Sequence, residues 1–284
     1  MNNNHHASPT QNQPALGDDH FSRVAEAFSR KSEEYDLFGS DHPNLIRLRH
    51  KVYQHTLRFL QPGDRILEIN SGTGLDAVYF ASLGYSIHAI DIAEGMLAHL
   101  QEKIEHYQLV DQITVENRSF TELNHVSGRP YSYIFSNFGG LNCIEDLSEV
   151  TDKLPAVLSP GGKITWVIMP KVCLWELALV FKGEIKRAFR RLRPQGTLAN
   201  VEGVRFMTYY FNPHQAVQSL GPDFQILRLE GLSVFTPPAD RKNFARRYPR
   251  LFRFLAGIDD ALSPLTPFNR WGDFYILTAQ YNPK

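Results

Sequence analysis

A chain of 284 residues, 43% of them hydrophobic, can bury a full core and suits one large domain or a domain with a lid. Thirty basic residues cancel thirty acidic ones, which excludes an overall field favouring nucleic acid or an anionic membrane, so any such preference must be local. Two cysteines, Cys143 and Cys173, lack metal-ligand spacing, which argues against a disulfide framework and a bound metal, fits a cytoplasmic, reducing compartment, and makes both read as inert core thiols.

Residues 1–20 are polar, rich in Asn, Gln and Pro, and carry no basic segment followed by an apolar one. They read as a disordered tail rather than a signal peptide, with His5 and His6 solvated inside it. Residues 21–60 show helical periodicity in two parts, "FSRVAEAFSRKSEEYD" and "NLIRLRHKVYQHTLRFL", split at Asp41-His42-Pro43, and form an N-terminal helical lid. From 61 to 170, strands ("RILEI", "SIHAID", "QITVEN", "YSYIFSN", "GKITWVIM") alternate with helices ("LDAVYFASLG", "AEGMLAHLQEKIEHYQL", "IEDLSEVTDKLPAVL"). The pattern predicts an α/β fold: a Rossmann-like, doubly wound, mostly parallel seven-stranded sheet with an antiparallel C-terminal strand.

Residues 171–270 read as a substrate-side insertion with a closing strand, and 271–284 as the C-terminal strand. Within the insertion, "LWELALVFKGEIKRAFRRL" predicts one long helix, with Leu174, Ala178, Phe181, Ile185, Phe189 and Leu192 on one side and Lys182, Lys186, Arg187, Arg190, Arg191 and Arg193 elsewhere. A strand "VRFMTYYF", a helix "HQAVQSL" begun by Asn212-Pro213, a strand "FQILRLEGLSVF" and a helix "RKNFARRYPRLFRFLAGIDDAL" follow. The most apolar window, "VCLWELALVF", is interrupted by Glu176 and falls well short of the roughly 20 residues that cross a bilayer, so no transmembrane segment is expected.

The stretch "RILEINSGTGLDA" places a Gly-x-Gly turn after the first strand. In open α/β sheets such a turn lies at the carboxyl ends of the strands, where ligands bind. Gly72 and Gly74 remove side chains where a ligand approaches the backbone, and Asp91, ending the second strand, can accept from both hydroxyls of a ribose. Read literally, Gly72 to Ala77 matches G-x-G-x-x-A, which admits an NAD(P)-dependent oxidoreductase. Glu68 pulls the other way, because a carboxylate beside the turn favours a cationic group over a pyrophosphate.

Glu68-Ile69-Asn70-Ser71-Gly72-Thr73-Gly74 resembles the E/D-x-G-x-G-x-G motif of class I S-adenosylmethionine-dependent methyltransferases. "HAIDIAEGML" is similar to the family's second motif, "SNFGGLNC" to its fourth-strand motif and "LSPGGKI" to the turn before strand five, covering roughly residues 60 to 170. The resemblance implies S-adenosylmethionine as cofactor, held by Glu68, Asn70, Ser71, Gly72 and Gly74 around the turn. Asp91 would take the ribose and Ile92 and Met96 the adenine, with Phe120 stacking and Ser136 and Asn137 ending strand four. Tyr35, in Tyr35-Asp36, resembles a lid residue over the cofactor. Two positions depart from the pattern: Asn70 replaces the first glycine, and Ser119 stands where the family usually has an acidic residue. Ser136-Asn137-Phe138-Gly139 is unlike the Asn/Asp-Pro-Pro-Tyr/Phe signature of amide- and base-nitrogen methyltransferases, which speaks against a nucleic-acid partner.

The implied activity is methyl transfer to a small or lipid-like acceptor, with a degenerate binding module as the non-enzymatic alternative. His214 and Tyr210, next to Tyr209, are candidate bases; Arg47 and Arg49 are candidates for meeting a carboxylate. The Lys182–Arg193 cluster would suit an acidic substrate or peripheral contact with an anionic membrane. His88 reads as a core residue, and no feature of the sequence sets the oligomeric state.

Overall fold

The computed structural model describes residues 18–40 and 42–284, so His5, His6 and most of the expected tail lie outside the described residues. Helix α1 (Asp18–Ser40) begins within the last three residues assigned to that tail, and α2 (Pro43–Leu57) follows. Pro43 stands in the first turn of α2, where a missing N–H leaves no bond unmade.

The alternation over 61–170 appears as β1 (Arg65–Ile69), α3 (Leu75–Ser82), β2 (Ser86–Asp91), α4 (Glu94–His106), β3 (Ile113–Asn117), β4 (Tyr131–Ser136), α5 (Ser148–Thr151) and β5 (Leu158–Ile168). Beyond it lie α6 (Leu174–Leu177), α7 (Ile185–Ala188), β6 (Thr197–Val201), β7 (Val204–Thr208), α8 (Pro213–Leu220), β8 (Phe224–Leu232), α9 (Phe244–Arg247), α10 (Pro249–Leu262) and β9 (Phe274–Tyr281). Seven strands form one sheet in the order β3-β2-β1-β4-β5-β9-β8. β9 slots between β5 and β8, antiparallel to both, as the sequence predicts for the C-terminal strand.

Both faces of the sheet are buried, which is why its strands are apolar on both sides. On one face Ile66, Ile87, Tyr133 and Phe135 meet Leu48 and Val52 of α2, Phe80 of α3 and Leu100 and Ile104 of α4. On the other, Leu67, Ile90, Ile134 and Trp166 meet Phe120, Leu123, Val150 and, from α8, Ala216 and Leu220. Each such side chain contributes about 1.5–3 kcal/mol on burial. The strand order reverses between β1 and β4, which creates the crevice at their carboxyl ends.

Four expectations fail locally, the first being the single helix over 241–262, which Tyr248-Pro249 splits into α9 and α10. The helix expected over 144–158 stops at Thr151, because Pro155 removes an N–H and its ring clashes with the carbonyl four residues back; only a 3-10 turn, Leu154–Ala156, follows. The long helix expected over 174–192 is four short pieces: α6, a 3-10 turn Ala178–Lys182, α7 and a second 3-10 turn Arg190–Leu192. Gly183 at φ +75° breaks it, and Phe181, Ile185, Phe189 and Leu192 are exposed rather than packed. The strand expected over 204–211 is the shorter β7, paired with the unforeseen β6 in a separate two-stranded hairpin.

Candidate cofactor site

At the carboxyl end of β1 the chain turns through Asn70 and Gly72, both with left-handed backbone (φ +59° and +55°). Asn is the side chain that best tolerates this region, so Asn70 keeps the turn a glycine would make. Its amide donates to the Ser136 hydroxyl at 3.1 Å and lies where a Cβ on Gly140 would be, so Asn70 and Gly140 form a matched pair. Gly72 has open space around it, with only the Met96 sulfur 3.9 Å from its Cβ position. Gly74 differs: a Cβ there would meet Leu100 at 2.1 Å, so this glycine lets α3 and α4 approach rather than a ligand.

Asp91 closes the turn from the second strand. Its carboxylate accepts from the Gly72 and Ala93 amides, both at 2.9 Å, and retains lone pairs toward the crevice. Burial raises its pKa, with the two amides pulling the other way. Below the turn, Asp76 accepts from Arg49, from Tyr53 at 2.7 Å and from Asn137 at 3.0 Å. Glu68 is 2% exposed, its Oε2 has no partner, and burial, then the nearby Asp76, push its pKa well above the carboxylate range.

Helix α1 closes the top. Gly95 on α4 meets the α1 backbone so tightly that a Cβ would lie 2.8 Å from the Ser29 carbonyl. Thr73 donates to Asp36 at 2.6 Å, and Lys103 bridges Asp36 and the Thr73 carbonyl. The result is a narrow cleft, partly open to solvent, at the carboxyl ends of β1 and β2. Val24, Phe28 and Tyr35 line it from α1; Asn70, Gly72, Asp91, Ile92 and Met96 from the first two strand ends; Phe120 and the run Asn137 to Gly140 with Cys143 from the far side.

Of the predicted residues, the structure brings Tyr35, Asn70, Gly72, Asp91, Ile92, Met96, Phe120 and Asn137 onto this cleft. Glu68, Ser71, Gly74, Ser119 and Ser136 do not line it. The Ser119 hydroxyl is taken up locally, accepting from the Thr121 amide at 3.1 Å as the cap of a 3-10 turn. Ser136 is fully buried against Asn70, and Ser71 is buried with its hydroxyl unpartnered.

Neither candidate base reaches the cleft. His214 is exposed on α8. Tyr210 is buried against the Arg191 guanidinium, its hydroxyl 3.2 Å from that of Thr197. Arg49 pairs with Asp76 and lies 4.9 Å from the Phe138 ring, while Arg47 pairs with Asp260, so both serve internal contacts. The basic cluster also loses members: Arg190 pairs with Glu176, and Arg191, 4% exposed, with Glu176 and Asp273.

Sequence reasoning missed Val24, Phe28, Phe138 and Cys143 as wall residues. Cys143 is buried as expected of a core thiol, but in the cleft wall rather than in a closed core. Phe138 carries a signal in hindsight: it stands between Asn137 and Gly139 with φ +45°, a conformation costly for a bulky residue, held by its amide donating to the Asn137 side chain.

The residues present fit S-adenosylmethionine. An unpartnered buried carboxylate lies beneath the turn, Gly72 leaves the backbone approachable, Asp91 retains acceptor capacity, and Ile92, Met96 and Phe120 give an apolar seat.

Residues 66–162 match the family model described as a methyltransferase domain. The chain is 29% identical over 146 residues to the biotin biosynthesis bifunctional protein BioHC of Cellvibrio japonicus, covering 50% of this chain and 26% of that protein. It is 27% identical over 150 residues to the demethylmenaquinone methyltransferase of Corynebacterium glutamicum, covering 50% of this chain and 57% of that one. Among solved structures, the cyclase SpnF superposes with a TM-score of 0.61 at 16% identity, covering 93% of this chain and 97% of that chain, a likeness of fold alone. The chain thus spans between about a quarter and just over half the length of these two curated relatives. The domain match favours a methyl donor over a nicotinamide at the glycine turn: residues 66–162 form a methyltransferase domain, and the strand order around its cleft is that of the class I S-adenosylmethionine-dependent fold.

Proposed function

We propose that the protein methylates a small, apolar or lipid-like acceptor at a nucleophile that needs no base from the protein. The observation that carries this reading is the make-up of the cleft wall. Apart from Asp91, its titratable groups are Tyr35 and Cys143. Burial pushes the Tyr35 phenol above its ordinary value and the Cys143 thiol up to about 12, so both keep their protons at neutral pH. Neither is a base or a nucleophile there.

S-adenosylmethionine supplies a methyl carbon already activated by its sulfonium. What the chain must add is position and dryness, and positioning alone can supply roughly 7–11 kcal/mol. Asp91 would accept from the ribose hydroxyls, Ile92, Met96 and Phe120 would pack the adenine, and the Gly72 backbone would let the chain approach. Glu68, buried beneath the turn and outside the cleft lining, would offset the charge of the amino group only on giving up its proton. Val24 and Phe28 shut water out from above, and Phe138 and Cys143 offer an apolar surface to the acceptor. An acceptor ionised or neutral and nucleophilic at pH 7, such as an acidic phenol, an enol or a carboxylate, fits a site without a base. The Corynebacterium relative, named for demethylmenaquinone, supports a lipid-like acceptor.

The insertion offers the acceptor side. A second cavity is lined by Trp175 and Leu179 and by the carboxylates Glu176, Asp240 and Asp273, each tied to an arginine, and is bordered by Met169 and Phe274. Those two residues pack against Gly139 of the cofactor cleft, 3.3 and 3.2 Å from its Cβ position. Calorimetric titration with S-adenosylmethionine, S-adenosylhomocysteine and NADH, then labelled-methyl transfer to acidic phenols, acidic enols and fatty carboxylates, with alcohols and ordinary phenols as acceptors that stay protonated at pH 7, tests the proposal. Binding of the first two ligands and transfer to ionisable apolar acceptors is expected. Transfer confined to acceptors that stay protonated at pH 7 would overturn the base-free reading, and failure of both S-adenosyl ligands to bind would leave a binding module.

A further inference from the structure

We infer that the broken-helix segment 178–193 is a docking surface for an anionic lipid bilayer. Phe181 is 93% exposed, Ile185 59%, Leu192 46%, Phe189 44% and Val180 39%. Single exposed apolar side chains are ordinary, but five within thirteen residues mark a surface that meets something. The same segment exposes Lys182, Lys186 and Arg193, with Arg187 paired to Glu184 and Asp240, in a chain whose charges balance only overall.

The surroundings extend the pattern. Trp175 packs on Phe244 with ring centroids 5.7 Å apart, and Arg187 reaches Asp240 at 3.3 Å, so the segment adjoins the stretch 241–254. That stretch has no acidic residue and exposes Tyr248, Leu251 and Phe254 beside Arg250 and Arg253.

Apolar side chains interleaved with cations are what an interfacial segment needs: the first enter the acyl boundary, the second face anionic headgroups. The other occupants fit less well. A second copy meeting the same patch across a two-fold axis would set cations against cations. Nucleic acid would use the cations but has no seat for Val180, Ile185 and Leu192. The inference does not depend on the methyl-transfer reading, and the cofactor cleft serves as the control.

The test is co-sedimentation of the full chain with phosphatidylcholine vesicles with and without phosphatidylserine, at low and high salt. Two double variants at exposed positions accompany it, Phe181→Ser with Ile185→Ser and Lys182→Glu with Lys186→Glu. The protein should sediment with phosphatidylserine vesicles, and binding should weaken about tenfold or more in high salt, on pure phosphatidylcholine and in each variant, with S-adenosylmethionine affinity unchanged. Failure of the wild type to sediment, or a variant that binds as the wild type does, would overturn the inference. So would concentration-dependent self-association removed by Phe181→Ser, which would make the face an interface between copies.

Discussion

The cofactor-binding region and the insertion use buried charge in opposite ways. Around the glycine turn, polar groups are buried with capacity left over: Glu68 Oε2 and the Ser71 hydroxyl have no partner, and Asp91 keeps lone pairs toward the cleft. In the insertion, buried charge is consumed internally. Arg191 binds Glu176 at 2.8 Å and both the side chain and carbonyl of Asp273, while Asp259 accepts from three successive amides, Val234 to Thr236. Apolar groups reverse the comparison, buried around the turn and, apart from Leu179 and Ala188, turned outward in 178–192. One region reserves polar valence for a ligand; the other ties itself down with charge and leaves apolar surface outside.

The harshest way to break this contrast is Arg191→Ala. Removing one partner of a buried charge cluster leaves Glu176 and Asp273 uncompensated, so a loss of about 3–5 kcal/mol is expected, read as an earlier urea midpoint. A midpoint within error of the wild type would show the cluster to be dispensable.

Asp91→Ala probes the reserved valence directly. S-adenosylmethionine affinity should fall about tenfold or more, since charge-assisted hydrogen bonds contribute about 1.5–3 kcal/mol each. Calorimetry showing unchanged affinity in a folded variant would remove Asp91 from the site. Because its pKa is raised, binding should also weaken on mild acidification before ordinary carboxylates protonate.

Gly95→Val sharpens the role of α1. The added side chain must displace the Ser29 backbone, so α1 should become more susceptible to limited proteolysis and cofactor affinity should drop severalfold while the sheet stays folded. Equal protease resistance would show that α1 tolerates the displacement.

The smallest effect lies at the far sheet edge. Burial alone would raise the pKa of Glu230, but hydrogen bonding from His55 and the charge of Lys51 bring it down to about 2. A depressed carboxyl stabilises the fold above its unfolded pKa, here 4.5, and that stability is lost as pH falls toward about 2. His55, its pKa lowered by burial, adds a loss beginning below 6.5. Glu230→Gln should flatten the acid limb of urea stability between pH 4.5 and 2, and an unchanged limb would assign acid sensitivity elsewhere.

Much of the cofactor region was legible because its signals are local. "RILEI" and "SIHAID" are short apolar runs, Gly72 and Asp91 stand at strand ends, and Pro-Gly punctuation separates the units. The insertion misled for a definite reason. Residues 174–192 carry helical periodicity, yet periodicity stabilises a helix only when its apolar stripe has something to pack on. Here it has no such surface, and Gly183 breaks the run.

Composition, periodicity and the glycine motif determined the α/β class, the central strands and a glycine turn at the carboxyl end of β1, because each is written in residues close together in the chain. Only the tertiary structure decided which glycine faces a ligand and which faces Leu100, that Val24 and Phe28 come down over the cleft beside Cys143, and that Arg191 is buried while Phe181 is not. Those outcomes depend on contacts between residues far apart in sequence, and a side chain's burial is a property of its neighbours.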